Sequence, residues 1–508
     1  MTREEKKKRL AGALFFLAVF FTMLAFFAVL HPIPIMDEDD VIYTVLSRKA
    51  IPIPSAWNPS RMMPEVLMPL CGNLAALFAA FGLGSFIDCQ VFVLAVMLSL
   101  FIAAYICAFR RLLEKRFLAG SFRSGCLSIL FLLLHFLIFR TDYSRNLYMF
   151  HAYDACCVFF YTMPALLCCT LVMKFMAEPE QSILLSGKTP FRSSLMLLTL
   201  YFAVFSNLFG SVILASYAAC RFLRDARRWR KSGKNFRDFR KNDGVLFGIV
   251  LFWLLAVVLE ALGGRAGGTR SAATTGRFAF SQKLGQAVSA MFQTMGKTCL
   301  FFQLLTVFLL LCGLAAVLIR PDQDENKRLF GAMKAICPAG LLTFLFLLFL
   351  SAAVSPDYMG RPEAVFPAVF AVFLILLLAG NHILRRVPAA DLALPIAIVF
   401  TCTMINTRFL TFADSNPLFV DGHVAVAVEN EIYDQVIRAA EAGKTEVTVR
   451  VPRSWDPIAN WPHNGNIGNP IAQFFLKYGI VDHEINVKTE PSDAFNEEFH
   501  IHPIIPGT

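Results

Sequence analysis

Long apolar runs recur along the chain, and short polar segments separate them. About 20 consecutive apolar residues suffice to cross a bilayer, so runs of this length predict membrane-spanning helices. The first run covers residues 11–30 and follows a basic start at residues 3–9. Further spans are predicted at roughly 90–109, 122–139, 155–175, 243–261, 299–319, 335–354, 364–380 and 389–406.

Two apolar runs do not fit single spans. Residues 62–84 include Pro64 and Glu65, and we predict helices there that lie at, or dip into, the outer membrane interface. Residues 193–222 are interrupted around Asn207. We predict two half-helices that form a hairpin re-entering from the cytoplasm, because broken helices are tolerated at membrane depth where protein buries them. Asn207 is interpreted as a helix-break residue rather than a ligand.

The charge distribution predicts the orientation. Basic residues stay on the cytoplasmic side of a membrane, and the hairpin keeps the most basic segment, residues 221–241, on that side. There we expect it to bind anionic lipids of the inner leaflet. The alternative is a single span at 193–222, which would leave the basic segment outside. With the hairpin, the N-terminus is predicted to be cytoplasmic and the C-terminus extracytoplasmic.

The composition excludes a soluble protein for most of the chain. Of the 508 residues, 56% are hydrophobic and 17% are charged, which is typical of a polytopic membrane protein. The net charge of +10 does not indicate nucleic-acid binding, since most of the excess lies in short segments between apolar runs. The 13 cysteines lie almost entirely in or beside these runs and form neither a disulfide framework nor a zinc-binding spacing.

These patterns predict an all-α polytopic membrane protein with about nine spans and one re-entrant hairpin. Residues 1–406 are expected to form the membrane domain, with a first external loop at residues 31–89. Residues 407–508 are expected to form a small extracytoplasmic α/β domain.

The C-terminal segment is soluble in character. Residues 429–442 have helical periodicity, residues 445–451 alternate like a strand, and residues 471–478 form a short helical run. The loop after the strand contains three ring side chains, Trp455, Trp461 and His463. Such rings can stack on a sugar or lie at the membrane interface, but a role in the core of the loop is favoured.

An acidic run, residues 37–40, follows the first span and is predicted to emerge on the outer face. Like charges at a membrane surface repel one another, and such clusters often have a raised pKa or bind a cation. One interpretation is a solvated loop that only helps topology. Another is a Mg²⁺ or Mn²⁺ site on Asp37 and Glu38. We favour catalysis, with Asp39 as the first candidate base and Asp37 and Asp40 next.

Several basic side chains are predicted on the same outer face. A charge near the hydrocarbon boundary is costly unless it is paired or functional, and the arginine fork suits bidentate contact with phosphate. Each basic residue taken alone is more typical of a residue at the membrane interface. The whole set is therefore better evidence for phosphate binding than any single member. The candidate phosphate ligands are Arg145, Arg270, Arg361, Arg140 and His151.

The layout resembles the GT-C superfamily of integral-membrane glycosyltransferases. The matching features are Asp37-Glu-Asp39-Asp40 after the first span, the surface helices behind it, the break at Asn207, and Arg361 in Tyr358-Met-Gly-Arg361-Pro-Glu363. More narrowly, the chain is similar to bacterial proteins related to the O-antigen glucosyltransferases. Those have an Asp-Asp pair followed by an aromatic, as in Asp39-Asp40-Val-Ile-Tyr43, and an external tail like residues 430–449.

In that superfamily a carboxylate of the first external loop serves as base or metal ligand, and a polyprenyl-phosphate sugar is the donor. The resemblance therefore implies transfer of a sugar from polyprenyl phosphate to a glycan, lipid or protein acceptor. The reaction would occur at the outer face of the bacterial cytoplasmic (inner) membrane, with membrane lipids and no nucleic acid as partners. Mg²⁺ or Mn²⁺ is an optional cofactor.

Two rival functions remain. A transporter or flippase for a lipid-linked glycan would need polar or charged groups at midplane depth, and the apolar runs are nearly free of charge. A non-catalytic envelope-assembly protein would use the external appendage as its binding module.

Single cysteines introduced at positions 39, 230 and 460 test the predicted orientation. A membrane-impermeant maleimide added to intact cells should label positions 39 and 460, since both are predicted to lie outside. It should label position 230 only after permeabilisation. The native chain serves as the background control, and labelling of position 230 in intact cells would contradict the predicted hairpin.

Overall fold

The computed structural model describes most of the chain. The described residues are 2–36, 38–45, 50–54, 56–139, 146–179, 190–232, 241–263, 276–298, 303–304, 306–308, 311, 324–386, 391–406, 412–416, 420–453 and 468–501. Predictions for several candidate residues therefore lie outside the described part, namely those for Asp37, Arg140, Arg145, Arg270, Trp455, Trp461 and His463.

Helices account for nearly all of the regular structure. In the first part of the chain they are α1 (Arg3–Ala25, continued by a π-helical turn at Phe26–Leu30), α2 (Glu38–Val45), α3 (Met62–Ala80), α4 (Phe86–Arg116), α5 (Ser121–Leu137), α6 (Ala155–Ala177), α7 (Pro190–Phe205) and α8 (Leu208–Ser232). Later they are α9 (Lys241–Leu262), α10 (Gly276–Gly296), α11 (Asp324–Val354), α12 (Pro362–Arg386), α13 (Ala393–Asn406), α14 (Gly422–Glu441), α15 (Gly468–Tyr478) and α16 (Asp493–Glu498). A 3-10 turn, Pro356–Gly360, joins α11 to α12.

Seven of the described helices are long and apolar enough to cross a membrane, namely α1, α3, α4, α6, α9, α11 and α12. The number rises to eight if the bent pair α7–α8 is a single span. Two predicted spans, 122–139 and 389–406, occur as the shorter apolar helices α5 and α13. The predicted span at 299–319 lies largely outside the described residues. The chain is thus a polytopic helical protein, as the sequence predicts.

The helix α3 is continuous, although prolines and polar residues interrupt its sequence. Pro64 lies in the first turn, where the missing N–H has no partner to lose. The backbone N–H of Met63 donates to the Ser206 hydroxyl (3.0 Å). The Tyr478 hydroxyl of α15 donates a hydrogen bond to the side-chain oxygen of Asn73. Although α3 is apolar enough to cross a membrane, α15 packs on both α2 and α3. The surface position of α3 stays a prediction.

The pair α7–α8 bends by 119° between the two helices, at residues 206–207. Lys174, near the end of α6, contacts Met196 of α7. Arg221 of α8 donates to the carbonyl oxygen of Phe175 (3.2 Å), also near the end of α6. Both helices therefore extend from the break towards the same end of the bundle, which is the arrangement of the predicted hairpin.

The segments that the sequence assigns to the cytoplasmic side meet at one end of the bundle. Arg110 of α4 donates to the carbonyl oxygen of Ala11 (3.3 Å). Arg385 of α12 donates to the carbonyl oxygen of Phe117, just beyond α4 (2.6 Å). Basic side chains are favourable where a helix ends, because the last carbonyl groups lack partners inside the helix.

The segments assigned to the outer side also contact one another. His31 Nδ1 lies 2.7 Å from Asp414 Oδ1, which joins the first predicted external loop to the segment after α13. Thr294 of α10 donates its hydroxyl to the carbonyl oxygen of Met359 in the 3-10 turn (3.2 Å). The grouping of loops by side is thus the one that the charge pattern predicts.

The C-terminal residues add a small sheet. The strands β1 (Glu446–Pro452) and β2 (Asn486–Ser492) pair in parallel, with α15 between them in the sequence. The helix α14 begins at Gly422 rather than at residue 429. The sequence did not predict β2, because Asn-Val-Lys-Thr-Glu-Pro-Ser lacks alternating apolar residues. The domain boundary at residue 406 stays a prediction.

The ring of Phe86 anchors the C-terminal helices over the start of α4. It packs edge-on against Tyr433 of α14 at a centroid distance of 6.1 Å. It also packs against Phe474 and Phe475 of α15, at 5.9 and 5.2 Å. Each aromatic pair of this kind adds about 0.5–1.5 kcal/mol beyond area burial. The cluster holds α14 and α15 beside the acidic helix α2.

Gly72 allows α2 and α3 to approach closely. A Cβ at this position would lie 2.5 Å from Thr44 Cγ2 and 2.6 Å from the Thr44 carbonyl oxygen. We expect Gly72→Ala to lower stability by about 1–3 kcal/mol, because α2 must move away. Thermal unfolding in detergent measures the effect. The control is Gly125→Ala in α5, where a Cβ meets nothing within 4 Å; equal unfolding midpoints of the two variants would contradict the prediction.

Candidate functional site

Two carboxylates meet at the N-terminal end of α6. The first N–H groups of a helix lack partners within it, and negative charge is favourable there. Asp154, which precedes α6, accepts the Cys157 N–H on Oδ1 (2.5 Å). Asp40 of α2 accepts the Cys156 N–H on Oδ1 (2.5 Å) and the Met36 N–H on Oδ2 (3.1 Å). Asp40 is fully buried and thus ties the acidic helix to α6.

The start of α6 is irregular, because a π-helical turn at Val158–Thr162 interrupts it. Pro164 has no N–H, and in a regular helix its ring would clash with the carbonyl group of Phe160. The wider turn accommodates the proline. Such turns are frequent at functional sites, and here Phe160 and Tyr161 line a cavity.

The capped helix end also brings together groups that can bind a metal ion. Ligand atoms of Asp40, Asp154 and Cys156 lie within 4.8 Å of one another, and all three residues are buried. Mg²⁺ and Mn²⁺ prefer oxygen ligands, so the thiol suits them poorly, and both carboxylates already accept backbone N–H groups. The geometry favours capping. Of the predicted ligands, Asp37 lies outside the described residues, as does the side chain of Glu38.

Asp39 differs from Asp40 in its environment. Successive residues of a helix point about 100° apart, so that one acid faces the core while its neighbour faces away from it. Asp40 is buried, whereas Asp39 is exposed. The acidic run therefore contains one carboxylate that holds the structure and one that stays accessible. The role of Asp39 as base stays a prediction.

Arg361 lies just before α12 and is already paired. Its guanidinium donates to Glu363 (2.7 Å), which is 2% exposed, and to the Cys157 sulfur (3.1 Å). Burial alone would lower the pKa of Arg361, but the Glu363 carboxylate, together with Cys157, Tyr161 and Tyr358, raises the pKa above its ordinary value. Three rings also surround the guanidinium, those of Tyr153, Tyr161 and Tyr358. Phosphate at Arg361 would have to compete with Glu363.

His151 is buried beside Asp414. Its Nε2 lies 3.3 Å from the Asp414 carbonyl oxygen. Burial lowers the pKa of His151, although the nearby Glu363 carboxylate acts in the opposite direction. A neutral, buried imidazole is poorly suited to phosphate binding. The other candidates, Arg140, Arg145 and Arg270, lie outside the described residues.

A cavity of about 430 Å³ lies between the hairpin break, the ends of α9 and α11, and the loop before α3. Most of its wall is apolar, and it has one polar side. The apolar and aromatic lining residues are Phe160, Tyr161, Leu208, Phe209, Val257, Ala261, Phe346, Phe349, Leu350, Ala353 and Val354. The polar ones are Asn58, Ser60, Arg61, Ser206, Asn207 and Glu260.

Arg61 lines this cavity, although the sequence did not single it out. It is 7% exposed, and its guanidinium carbon lies 3.6 Å from the centroid of the Phe160 ring. It donates to the Tyr43 hydroxyl and to the side-chain oxygen of Asn58, whose amide is oriented so that its oxygen faces the guanidinium. Among the described residues, no carboxylate lies at ion-pair distance from it. The sequence feature that could have identified Arg61 is its place in a proline-rich loop directly before an apolar helix.

Tyr43 connects the cavity to the acidic helix. Burial raises the pKa of its phenol, while the Arg61 guanidinium acts in the opposite direction. The hydroxyl therefore stays protonated at neutral pH and accepts the hydrogen bond from Arg61. Because Tyr43 and Asp39 both lie on α2, the position of Arg61 and the position of the acids are set by the same helix.

No protein-family model matches the chain, and neither a curated protein nor a solved structure matches it. The strongest feature is a buried guanidinium in a mostly apolar cavity among helices that can span a membrane.

Asp40→Ala should destabilise the fold by about 1–3 kcal/mol, because it leaves the buried Cys156 and Met36 N–H groups without their acceptor. The matched control is Asp39→Ala, one residue away and exposed, for which a change within about 0.5 kcal/mol is expected. Chemical denaturation in detergent, monitored by intrinsic fluorescence, gives both values. A similar loss in the two variants would show that Asp40 does not fix the acidic helix.

Proposed function

We propose that the protein is a glycosyltransferase that moves a sugar from a polyprenyl-phosphate donor to a glycan, lipid or protein acceptor of the cell envelope. The observation that carries the proposal is the buried Arg61 in a mostly apolar cavity, with no carboxylate at ion-pair distance among the described residues. A polyprenyl phosphate has the matching chemistry, since it joins an apolar chain to a single anionic group.

The cavity wall reaches the outer surface of the helices. Phe349 lines the cavity and is still 50% exposed. It belongs to α11, one of the helices that are long and apolar enough to cross a membrane. A lipid chain can therefore enter sideways from the bilayer. The volume of about 430 Å³ lies within the usual range of small-molecule sites, so it holds the head of such a lipid rather than its whole length.

The charge of Arg61 supports an anionic ligand. A buried charge is expensive unless it is paired, and the partners of Arg61, namely the Tyr43 hydroxyl, the Asn58 side-chain oxygen and the Phe160 ring, are all neutral. A phosphate would supply the missing charge through bidentate hydrogen bonds. Arg361 lies behind the wall, since the ring of Tyr161 both lines the cavity and stands 5.6 Å from the Arg361 guanidinium carbon. Its charge is offset by the Glu363 carboxylate, so Arg61 is the first contact for phosphate.

The proposed reaction is a single displacement with inversion. Asp39 takes the proton of the acceptor hydroxyl, and the hydroxyl oxygen bonds to the anomeric carbon. The bond from that carbon to the phosphate oxygen breaks, and the polyprenyl phosphate leaves with the electron pair. Arg61 stabilises the negative charge that grows on the departing phosphate.

The proposed reaction takes place at the predicted location, the outer face of the bacterial cytoplasmic membrane, with the cavity on the outer side. A flippase would instead have to release the same lipid intact on the other leaflet. An assembly protein would bind partner proteins or glycans and leave the donor lipid chemically unchanged. Both rivals are distinguished from a transferase by whether the bond between sugar and phosphate is cleaved.

The test uses the full chain in lipid nanodiscs with undecaprenyl phosphate carrying a labelled sugar, and with an extract of envelope glycans and lipids as acceptor. We expect release of undecaprenyl phosphate and label in the acceptor fraction. Arg61→Gln should lower the rate about 100-fold, as for loss of one oxyanion-stabilising donor. Asp39→Asn should lower it at least as much, because the base is lost.

The matched control is Arg228→Gln, which removes a guanidinium that is 74% exposed at the basic end of α8. Its rate should equal that of the native chain. Glycan analysis of the host envelope, with and without the chain, identifies the acceptor. An unchanged rate in Arg61→Gln would remove the cavity from the reaction. Movement of the uncleaved donor lipid across the membrane would contradict the transferase and support a flippase.

A further inference from the structure

Glu260 is the carboxylate that lines the Arg61 cavity among the described residues. It lies in α9, close to the end of a helix long and apolar enough to cross a membrane. Acidic residues inside such helices are rare and usually serve a function. The 37–40 acids do not line the cavity where the structure describes them.

One oxygen of Glu260 is fixed and the other is not. Oε1 accepts both the backbone N–H of Ser60 (2.6 Å) and its hydroxyl (2.5 Å). Among the described residues, no donor is within hydrogen-bond distance of Oε2. Since Glu260 lines the cavity, this second oxygen is the one available to a ligand.

The backbone around this contact is closely packed. A Cβ on Gly263, just beyond α9, would lie 2.6 Å from the Pro59 ring. The end of α9 therefore fits directly against the loop that carries Ser60 and Arg61. This packing sets the position of the carboxylate relative to the guanidinium, and a preorganised site needs such support.

Glu260 and Arg61 face the same cavity without pairing to each other. Ser60, which holds Glu260, is the direct neighbour of Arg61, and adjacent Cα atoms are about 3.8 Å apart. Because Arg61 and Glu260 line the same cavity, a phosphate on Arg61 would leave the group attached to it in the cavity that Glu260 also faces. A second phosphate there would be repelled by the carboxylate, whereas sugar hydroxyl groups are good donors to it.

We propose that Glu260 recognises the sugar of the donor, accepting hydrogen bonds from its hydroxyl groups while Arg61 holds the phosphate. This inference rests on the proposed function and assigns its sugar subsite. The amide of Asn207 lines the same side of the cavity and adds a donor; its oxygen already accepts the Phe209 N–H (2.6 Å). A carboxylate built to accept hydroxyl protons discriminates strongly against ligands that lack them.

The experiment measures binding of three kinds of lipid to the full chain in nanodiscs by native mass spectrometry. The lipids are undecaprenol, undecaprenyl phosphate and undecaprenyl phosphate carrying glucose, galactose, mannose or arabinose. Glu260→Gln keeps a side-chain oxygen that accepts from Ser60, so the loop stays in place while the negative charge is lost. We expect this variant to bind the preferred sugar-bearing lipid about tenfold more weakly and undecaprenyl phosphate as well as the native chain.

Two control variants separate the contributions. Arg61→Gln should weaken both phosphate-bearing lipids and leave undecaprenol unchanged. Ser60→Ala removes one hydrogen bond to Glu260 without changing charge, and it should keep the preference for the sugar-bearing lipid. An equal effect of Ser60→Ala and Glu260→Gln would mean that the carboxylate only positions the loop.

The outcomes distinguish this inference from the proposed function. If the native chain prefers phosphate-bearing lipids but Glu260→Gln binds the sugar-bearing one equally well, the sugar subsite is overturned and the lipid-phosphate site stands. Equal weakening of undecaprenyl phosphate and its sugar derivative in Glu260→Gln would also overturn the subsite. A native chain that binds undecaprenol as tightly as the phosphates would overturn both.

Discussion

The hydrogen bond from the Cys156 N–H to Asp40 is the contact on which the rest of the site depends. It joins the acidic helix to the start of α6, across 116 positions of sequence. Two of the partners of Arg61 are set by it, because Tyr43 lies on the acidic helix and Phe160 lies in the π-helical turn of α6. A carboxylate that caps a helix end therefore determines where the guanidinium lies, although it contacts neither the guanidinium nor the cavity.

The membrane architecture was largely predictable, because a run of about 20 apolar residues has few structural alternatives in a bilayer. The helices α4, α6, α9, α11 and α12 follow directly from such runs. Charge also predicted which loops meet, as the contact of Arg385 with the Phe117 carbonyl illustrates. The apolar runs could not predict how the segments that contain polar residues and prolines lie relative to the membrane. The helix α3 is apolar enough to span, and its surface position stays a prediction.

The sequence predicted which kinds of side chain line the candidate site, but it did not predict which residues they are. The sequence indicated an outer carboxylate and an arginine around a shared hollow, and it favoured the acidic run and Arg361. The structure buries Asp40 as a cap, pairs Arg361 with Glu363, and gives the cavity Arg61 and Glu260 instead. Composition could not reveal this, because Ser60 and Glu260 meet across 200 positions. Whether an acid caps, pairs or faces a ligand is decided by such distant contacts, and all three roles look alike in a sequence.

The separation of Arg61 from Glu260 has a physical consequence. Opposite charges in a low-dielectric cavity attract strongly, and a direct ion pair would neutralise both and leave little for a ligand. Neutral groups prevent this: the Tyr43 hydroxyl engages the guanidinium, and the Ser60 N–H and hydroxyl engage one carboxylate oxygen. Each charge is thus partly stabilised without being cancelled. A ligand that carries an anion beside hydroxyl groups completes both sets of contacts at once, whereas a plain lipid leaves both charges buried. The proposed discrimination between a sugar-bearing lipid phosphate and a plain lipid therefore follows from how the charges are held apart.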